Sequence, residues 1–202
     1  MLPLSDITAG DFYRYSTTAD WRVPHFEKML EGNAGLLAVY ADGYRVLGDA
    51  EFARIAGQTA AYMAGPLYDR RLRAFHSSQD ADIFSDDPSR PTIHGEDYFV
   101  LDARERAEIG EPAVDRTIVT PYNALAITGL VKAHLALEPL LGRNAGSPLA
   151  DHRVGASAPE GVDYLDLAFG AADFLLDTMQ GDDGAFYHYH DGERPQRPGL
   201  LC

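Results

Sequence analysis

The chain has 202 residues, enough for one domain or at most two small ones. Its 17 Lys and Arg residues against 31 Asp and Glu residues give a net charge of −14, which repels phosphate backbones. The sequence therefore predicts no nucleic acid partner. No apolar run approaches the about 20 residues of a membrane helix, so we also expect no membrane partner.

The sequence also bears on the compartment. One cysteine, Cys202, cannot form an internal disulfide, which fits a reducing environment. Residues 1–10 have no basic start and no apolar run, so we expect no signal peptide. By elimination, the sequence predicts a cytoplasmic location.

The first predicted elements are two helices. Residues 1–30 show no clean period, and a helical pattern then runs from Asn33 to Gly48. Asp49 is a suitable cap for a second helix, which ends before Gly65. These two helices are predicted to form a tight αα-hairpin.

The middle of the chain is predicted to be more irregular. Residues 72–76 form a short extended piece, and residues 77–95 form a long polar loop. Residues 98–101 are predicted to be a strand and residues 102–109 a short helix.

The last third contains two more predicted helices. They cover residues 123–141 and 162–179, and a flexible Gly/Pro/Ser-rich connector at about 142–161 separates them. The predicted apolar stripe of the first of these helices consists of Ile127, Leu130, Val131, His134, Leu137 and Leu141. Residues 186–190 are predicted to be a strand that leads into a hairpin turn.

This order of elements predicts the fold class. Helices dominate and no βαβ rhythm appears, so the sequence predicts a mainly α protein with short β-hairpins at helix ends. Two passages from helix to strand end on an aromatic residue and a histidine, at Phe75–His76 and at Tyr187–His188. This similarity indicates an internal repeat.

Several stretches resemble the motifs of a known family. Residues 11–17 read D-F-Y-R-Y-S-T and residues 21–30 read W-R-V-P-H-F-E-K-M-L. Further along, residues 77–82 read S-S-Q-D-A-D and residues 120–125 read T-P-Y-N-A-L. In this order they resemble the spermatogenesis-associated, thioredoxin-domain-containing family and its bacterial relatives. Tyr122 stands where the family pattern has tryptophan.

The resemblance implies an (α/α) toroid similar to six-hairpin glycosidases and sugar 2-epimerases. In the family, a thioredoxin-like domain precedes this toroid. This sequence has no C-x-x-C motif and no thioredoxin-like start. We therefore expect residues 1–202 to form a single partial toroid domain, about half of the complete one.

His25 and Glu27 are candidate catalytic residues just before the first helix, and Lys28 beside them is a candidate for substrate binding. The imidazole and the carboxylate suit a general base or a substrate-orienting cluster at the mouth of the toroid. The alternative is a buried structural network that fixes the start of the helix, where the helix dipole favours Glu27. The residues alone leave both interpretations open.

Asp80 and Asp82 are the second pair of candidate catalytic residues. In an extended chain both carboxylates point the same way, which suits acid/base work on a glycosidic bond, hydroxyl binding or a divalent ion. Gln79 beside them is a candidate for substrate binding. The alternative is a solvated turn in which the aspartates bond to their own backbone.

Four aromatic residues lie near the motifs and could stack on a sugar ring, although core packing is the commoner use of such side chains: Tyr13, Tyr15, Trp21 and Tyr122. Of these, Trp21, Tyr15 and Tyr122 are the candidates for substrate binding. Asn123 is a further candidate for substrate binding, with helix capping as the alternative. His188 and His190 lack a second pair at ligand spacing, so we expect no metal. No Gly-rich phosphate loop is present, and we expect no cofactor.

Two functions remain open from the sequence. The first is a fragment of a six-hairpin glycosidase or epimerase-like domain that binds or processes a small carbohydrate. The second is a non-catalytic helical scaffold. An open half-toroid would expose apolar helix faces, so this scaffold would form a homo-oligomer or pair with a companion chain that completes the toroid.

Overall fold

The structure is a computed structural model that describes residues 4–6, 8–85, 91–142 and 162–198. The predicted connector lies outside the described residues except for its first residue, and Cys202 lies outside them as well.

The described residues form four long helices and two short ones: α1 (Leu30–Leu47), α2 (Ala50–Ala64), α3 (Gly95–Tyr98), α4 (Ala103–Ile109), α5 (Thr120–Gly142) and α6 (Tyr164–Thr178). Short strands lie between them: β1 (Ser5–Asp6), β2 (Asp11–Phe12), β3 (Tyr15–Ser16), β4 (Pro24–His25), β5 (Lys28–Met29), β6 (Tyr68–Asp69), β7 (Ala74–Phe75), β8 (Ser78–Gln79), β9 (Val114–Asp115), β10 (Ile118–Val119), β11 (Tyr187–His190) and β12 (Pro195–Pro198).

The predicted hairpin of α1 and α2 is confirmed. Gly48 ends α1 in the left-handed region, with φ of 70°, and its N–H donates to the Tyr44 carbonyl. The Asp49 side chain then accepts from the Glu51 N–H and caps α2. The turn chemistry of two adjacent residues therefore joins the two helices, as the sequence predicted.

The core forms where α1 and α5 pack side by side. A Cβ atom added to Gly129 of α5 would lie 2.8 Å from the Ala34 carbonyl oxygen of α1, so glycine permits the close approach. Helix α2 packs on α1, and α6 packs on α5. The apolar side chains of these four helices share one buried cluster, which includes Leu37, Leu130 and Leu167.

Two small sheets mark the beginnings of α1 and α5. Strand β5 leads directly into α1 and pairs with β8, which also pairs with β9. Strand β10 leads directly into α5 and pairs with β11, which also pairs with β12. The same three-stranded arrangement thus precedes both helices.

Two asparagines repeat one contact. Asn33, the fourth residue of α1, accepts from the Phe12 N–H at 2.9 Å and donates to the Phe12 carbonyl at 3.0 Å. Asn123, the fourth residue of α5, makes the same two bonds to Phe75, at 2.8 and 2.9 Å. We call this pair of bonds the asparagine clamp.

The strand hairpins that carry the two phenylalanines also match. Asp6 Oδ1 accepts from the amides two and three residues later, and Asp69 Oδ1 does the same. The first unit therefore comprises β1, β2, β5, α1 and α2, and the second unit comprises β6, β7, β10, α5 and α6. The chain therefore has an internal repeat, but its equivalent residues are Phe12 and Phe75. The predicted match of Phe75–His76 with Tyr187–His188 is wrong in register, because Phe186 rather than Tyr187 bridges to the neighbouring strand segment as Phe75 does.

Two predictions of local structure are wrong. Residues 98–101 are not a strand, because α3 ends at Tyr98 and the chain then turns, with Tyr98 and Phe99 buried against Tyr13. The helix at 102–109 is confirmed, and Asp102 and Glu105 form a capping box at its start. The stripe of α5 is also shifted: Ala126, Ala133 and Ala136 join Leu130 and Leu137 in the core, whereas Val131 is 37% exposed.

Candidate functional site

A cleft of about 320 Å³ lies at the beginnings of α1 and α5. Its walls come from the end of β2 and the two residues after it, from the beginning of α1 and from the first turn of α5. The residues that line it are Phe12, Tyr13, Arg14, Met29, Glu31, Gly32, Asn33 and Tyr122. The asparagine clamp of Asn33 on Phe12 fixes one wall against α1.

A charged and aromatic cluster adjoins this cleft. Arg14 Nη1 donates to Glu27 Oε2 at 2.7 Å, and His25 Nδ1 lies 4.0 Å from the same oxygen. Antiparallel pairing of β3 and β4 places Tyr15 opposite His25, and the two rings stack with centroids 5.0 Å apart. The structure therefore brings together three predicted site residues, Tyr15, His25 and Glu27, and adds Arg14 to them.

Tyr122 and Glu31 form the polar part of the cleft. Burial raises the pKa of the Tyr122 hydroxyl, and the nearby Glu31 carboxylate raises it further, whereas the Arg14 guanidinium lowers it. The hydroxyl therefore stays protonated at neutral pH and can donate a hydrogen bond. A donor, a carboxylate and a guanidinium thus line the same small space.

Lys28 lies elsewhere, in a buried charge cluster. Its ammonium donates to Asp6 Oδ2 at 2.7 Å and to Asp11 Oδ1 at 3.0 Å. Arg106 binds both oxygens of Asp6, at 2.6 and 3.0 Å. The rings of Tyr13, Tyr62 and Phe99 surround the Lys28 ammonium at 4.8 to 5.7 Å.

The two carboxyl groups of this charge cluster differ in their pKa. Burial favours the neutral form of Asp6, but the hydrogen bonds from Arg106 and the charge of Lys28 hold its pKa below the ordinary value. Burial raises the pKa of Asp11 to about 6, because Lys28 offsets it only in part. Among the described residues, Asp11 Oδ2 has no hydrogen-bond partner.

Gln79 lines a second cavity, of about 220 Å³, together with Lys28, Tyr62 and Arg106. The Tyr62 hydroxyl donates to Gln79 Oε1 at 3.1 Å, and Gln79 Nε2 donates to the Pro112 carbonyl at 3.4 Å. The predicted site residues are therefore divided: Gln79 and Lys28 line this second cavity, and Tyr122 lines the first.

Asp80 and Asp82 follow β8. Asp80 Oδ1 accepts from the Ala81 N–H, and Asp82 Oδ1 accepts from the Gly95 N–H at 2.8 Å, at the start of α3. Asp82 Oδ2 also lies 3.3 Å from His94 Nδ1. The Asp80 bond is the local kind that the turn interpretation expects, whereas the partners of Asp82 lie 12 and 13 residues further along the chain. The catalytic role of both carboxylates stays a prediction.

The remaining two candidates occupy very different positions. Trp21 lies at the turn between β3 and β4 with φ of 61°, and 56% of it is exposed. Asn123 is fully buried and its side chain bonds the main chain of Phe75 and the Val119 carbonyl. Its contacts are structural, but they are not those of a helix cap, because Asn123 is the fourth residue of α5 and its Oδ1 accepts from Phe75 rather than from the first turn of α5.

Sequence reasoning missed five charged residues of these sites, one of which is Asp11, the first residue of the motif at 11–17. Arg14 belongs to the motif at residues 11–17 and Glu31 lies in the first turn of α1, so both were within reach of the motif argument. Asp6 and Arg106 were not, because they lie 100 residues apart in the chain and meet only in the fold.

In the described part of the chain, no three His, Cys, Asp or Glu side chains are grouped so that they could hold a metal ion. No helix among the described residues is both long and apolar enough to cross a membrane.

Part of the chain is similar in sequence to known proteins. The chain is 33% identical over 115 residues to human spermatogenesis-associated protein 20 and 38% identical over 112 residues to the mouse protein of that name. These alignments cover 56% and 55% of this chain but 14% of each relative. No family model matches the chain.

Comparison with solved structures shows which fold the chain has. Cellobiose 2-epimerase from Spirochaeta thermophila DSM 6192 superposes with a TM-score of 0.63 at 20% identity, over 100% of this chain and 38% of that one. The cellobiose 2-epimerase of Bacillus thermoamylovorans B4167 gives 0.63 at 12% identity, over 98% and 39%. The chain therefore shares the helical fold of these epimerases and covers a little over a third of their length.

Proposed function

We propose that this chain, a homologue of part of spermatogenesis-associated protein 20, is a segment of a toroid of helical hairpins that binds a small carbohydrate. The proposed site is the cleft at the beginnings of α1 and α5. The observation that supports it best is the combination of Arg14, Glu31 and Tyr122 in one cleft next to the stacked rings of Tyr15 and His25.

This combination suits the chemistry of a sugar. Hydroxyl groups of a sugar both donate and accept, so a carboxylate, a guanidinium and a phenol can each bond to one of them. The C–H face of the ring is apolar and requires a flat partner, which the exposed Tyr15 ring offers. The similarity of the fold to two cellobiose 2-epimerases supports the same class of ligand, since those proteins act on a sugar according to their names.

In this proposal His25 and Glu27 supply the acid/base chemistry. The imidazole stacks on Tyr15, and its Nδ1 lies 4.0 Å from the carboxylate oxygen that accepts from Arg14. His25 Nδ1 has no hydrogen-bond partner among the described residues, so its hydrogen-bonding capacity is unused. Asp80 and Asp82 belong to the same proposal as groups of the rim. Ala81 and Phe26 both pack closely against Gly95, since a Cβ atom there would lie 2.8 Å from the Ala81 oxygen and from Phe26 Cβ. The segment that carries Asp80 and Asp82 therefore lies near the segment that carries His25 and Glu27.

The test is ligand binding measured by thermal shift and by titration calorimetry with cellobiose, mannose and glucose. A sugar at a hundredfold excess over its Kd should raise the stability of the folded chain by about 2.7 kcal/mol. Tyr122→Phe and Glu31→Gln should each weaken binding about tenfold without changing the fold, because each removes one polar contact.

Glu108→Gln is the matched control for this binding experiment, because Glu108 is an exposed carboxylate of α4 away from the cleft. The double variant Asp80→Asn with Asp82→Asn tests the rim. Equal binding by the chain and by the Tyr122 and Glu31 variants would overturn the proposed cleft, and equal binding by the double variant would remove the rim from the proposal.

A second candidate function is a scaffold that pairs with another copy or with a companion chain. Large apolar side chains on the outer sides of α5 and α6 favour it, since Leu135, Phe169 and Leu176 are each more than half exposed. Analytical ultracentrifugation tests this candidate. A concentration-independent monomer would contradict self-association.

A further inference from the structure

The strand hairpin of the two units occurs a third time, after α6. In each copy the amide that follows a phenylalanine donates at 2.8 Å to the carbonyl of the neighbouring strand segment: Tyr13 to Leu4, His76 to Leu67, and Tyr187 to Met179. Phe186 bridges to Gln180 as Phe75 pairs with Tyr68. Phe186 therefore occupies the position that Phe12 and Phe75 occupy in the two complete units.

Phe186 differs from its two equivalents in one respect. The main chains of Phe12 and Phe75 are each held by an asparagine clamp, and both side chains are buried. Among the described residues, the N–H and the carbonyl of Phe186 have no hydrogen-bond partner, and its side chain is only half-buried. A groove of about 260 Å³ adjoins it.

The neighbouring face of α5 is open in the same way. Asn33 and Asn123 are equivalent, so Ala34, Leu37 and Ala41 of α1 correspond to Ala124, Ile127 and Val131 of α5. The three α1 residues are fully buried, and Ala34 and Leu37 lie against Gly129 of α5. Their counterparts are exposed, half-buried and exposed, respectively. The face that receives a neighbour in the first unit is thus uncovered in the second.

We infer that the Phe186 main chain and the α5 face at Ala124, Ile127 and Val131 form a docking surface for a third helix of the same kind, with asparagine as its fourth residue. This inference rests on the proposed array of hairpins and does not use the proposed sugar site. A second copy of the described chain is not the occupant, because its equivalent residues Asn33 and Asn123 are already bonded to Phe12 and Phe75.

The spacing of the second unit fixes where such a helix would enter. Asp115 of β9 pairs with Ser78, and Gln196 of β12 pairs with Tyr189 in the equivalent register. Asn123 follows Asp115 by eight residues. A docked helix in the same register would therefore carry its asparagine at a spacing equivalent to eight residues after Gln196.

A fusion tests this geometry directly. In the test protein a copy of residues 118–142 directly follows Pro198 in place of residues 199–202. The copied asparagine then lies eight residues after Gln196. The covalent link keeps the copied helix at a high effective concentration, so weak docking is still detected. Hydrogen exchange of individual backbone amides, followed by NMR, is the measurement.

In the unextended chain the Phe12 and Phe75 amides should be protected, and the Phe186 amide should exchange freely. In the fusion, protection of the Phe186 amide should rise more than about tenfold. The matched control is the same fusion with the copied asparagine changed to alanine, which should lose that protection. Asn123→Ala in the unextended chain shows that the measurement reports a clamp, because it should expose the Phe75 amide.

Two results would overturn the inference. One is a Phe186 amide that is already as protected as that of Phe75 in the unextended chain. The other is equal protection of Phe186 in the fusion and in its alanine control. Neither result bears on sugar binding at the cleft, so failure here and failure of the proposed function are distinguishable.

Discussion

The two units of this chain share a backbone but differ in what they bury. Lys28 lies five residues before Asn33, and the residue five before Asn123 is Ile118. Asp11 pairs with Asp6 across the first strand hairpin, and the residue that pairs with Asp69 across the second is Ala74. The first unit therefore holds an ion pair where the second unit holds isoleucine and alanine.

This difference separates what the architecture requires from what one unit adds to it. The asparagine clamp and the Asp6 and Asp69 turns occur in both units, so they belong to the architecture. The pair of Lys28 and Asp11 occurs only in the first, beside the cavity that Gln79 lines. Buried ion pairs often add little stability over apolar residues of similar size. We therefore expect that the pair can be replaced as a whole but not in part.

The largest expected effect follows from removing Lys28 alone. Lys28→Met should lower the free energy of unfolding by about 3–5 kcal/mol, because the buried Asp11 carboxylate then loses its cation. The double variant Lys28→Ile with Asp11→Ala copies the second unit and should recover at least half of that loss. Urea unfolding followed by circular dichroism measures both.

Arg104→Ala is the control for this comparison. Its ion pair with Glu108 is exposed and should contribute less than about 1 kcal/mol. If the double variant is no more stable than Lys28→Met, the two units are not interchangeable at these positions, and the charges are part of what folds the first unit.

A smaller effect is expected from the clamps, which the two units share. Asn33→Ala and Asn123→Ala should each cost about 2–3 kcal/mol, because each leaves a buried N–H and a buried carbonyl of phenylalanine unpaired. The two losses should agree within about 1 kcal/mol if the units are energetically equivalent. The same urea titrations provide the values.

Thr128→Ala on the exposed side of α5 is the reference for this pair, with an expected change below about 0.5 kcal/mol. A large loss of unfolding free energy for one asparagine variant and none for the other would mean that the two clamps share a geometry but do not stabilise their units equally.

Part of this repeat was accessible from the sequence. Two of the three Asn-Ala dipeptides of the chain, at 33–34 and at 123–124, lie in the first turn of a helix that periodicity predicts. The buried stripe of α5 was harder to predict, because the period of apolar residues does not show that Val131 lacks a covering neighbour and is exposed. The charge cluster was inaccessible, since Lys28 and Arg106 meet Asp6 across 22 and 100 residues of sequence.

The smallest expected effect is a gain of stability on acidification that Asp11 of the first unit should provide. The pKa of Asp11 rises from 3.8 in its ordinary state to about 6 in the fold, so the folded chain binds this proton more tightly than the unfolded chain does. Stability from this group is therefore gained as pH falls through 6 and is absent at pH 7. Between pH 7 and pH 5 the gain should be about 1.3 kcal/mol.

Asp11→Asn isolates that contribution. Burial lowers the pKa of His76, which makes the stability change in the opposite direction, and Asp6 titrates at lower pH because Arg106 and Lys28 lower its pKa. Both groups are present in the wild type and in the variant, so the difference between their unfolding free energies reports Asp11. If that difference is constant from pH 7 to pH 5, Asp11 stays ionised beside Lys28, and the first unit keeps a complete ion pair where the second has none.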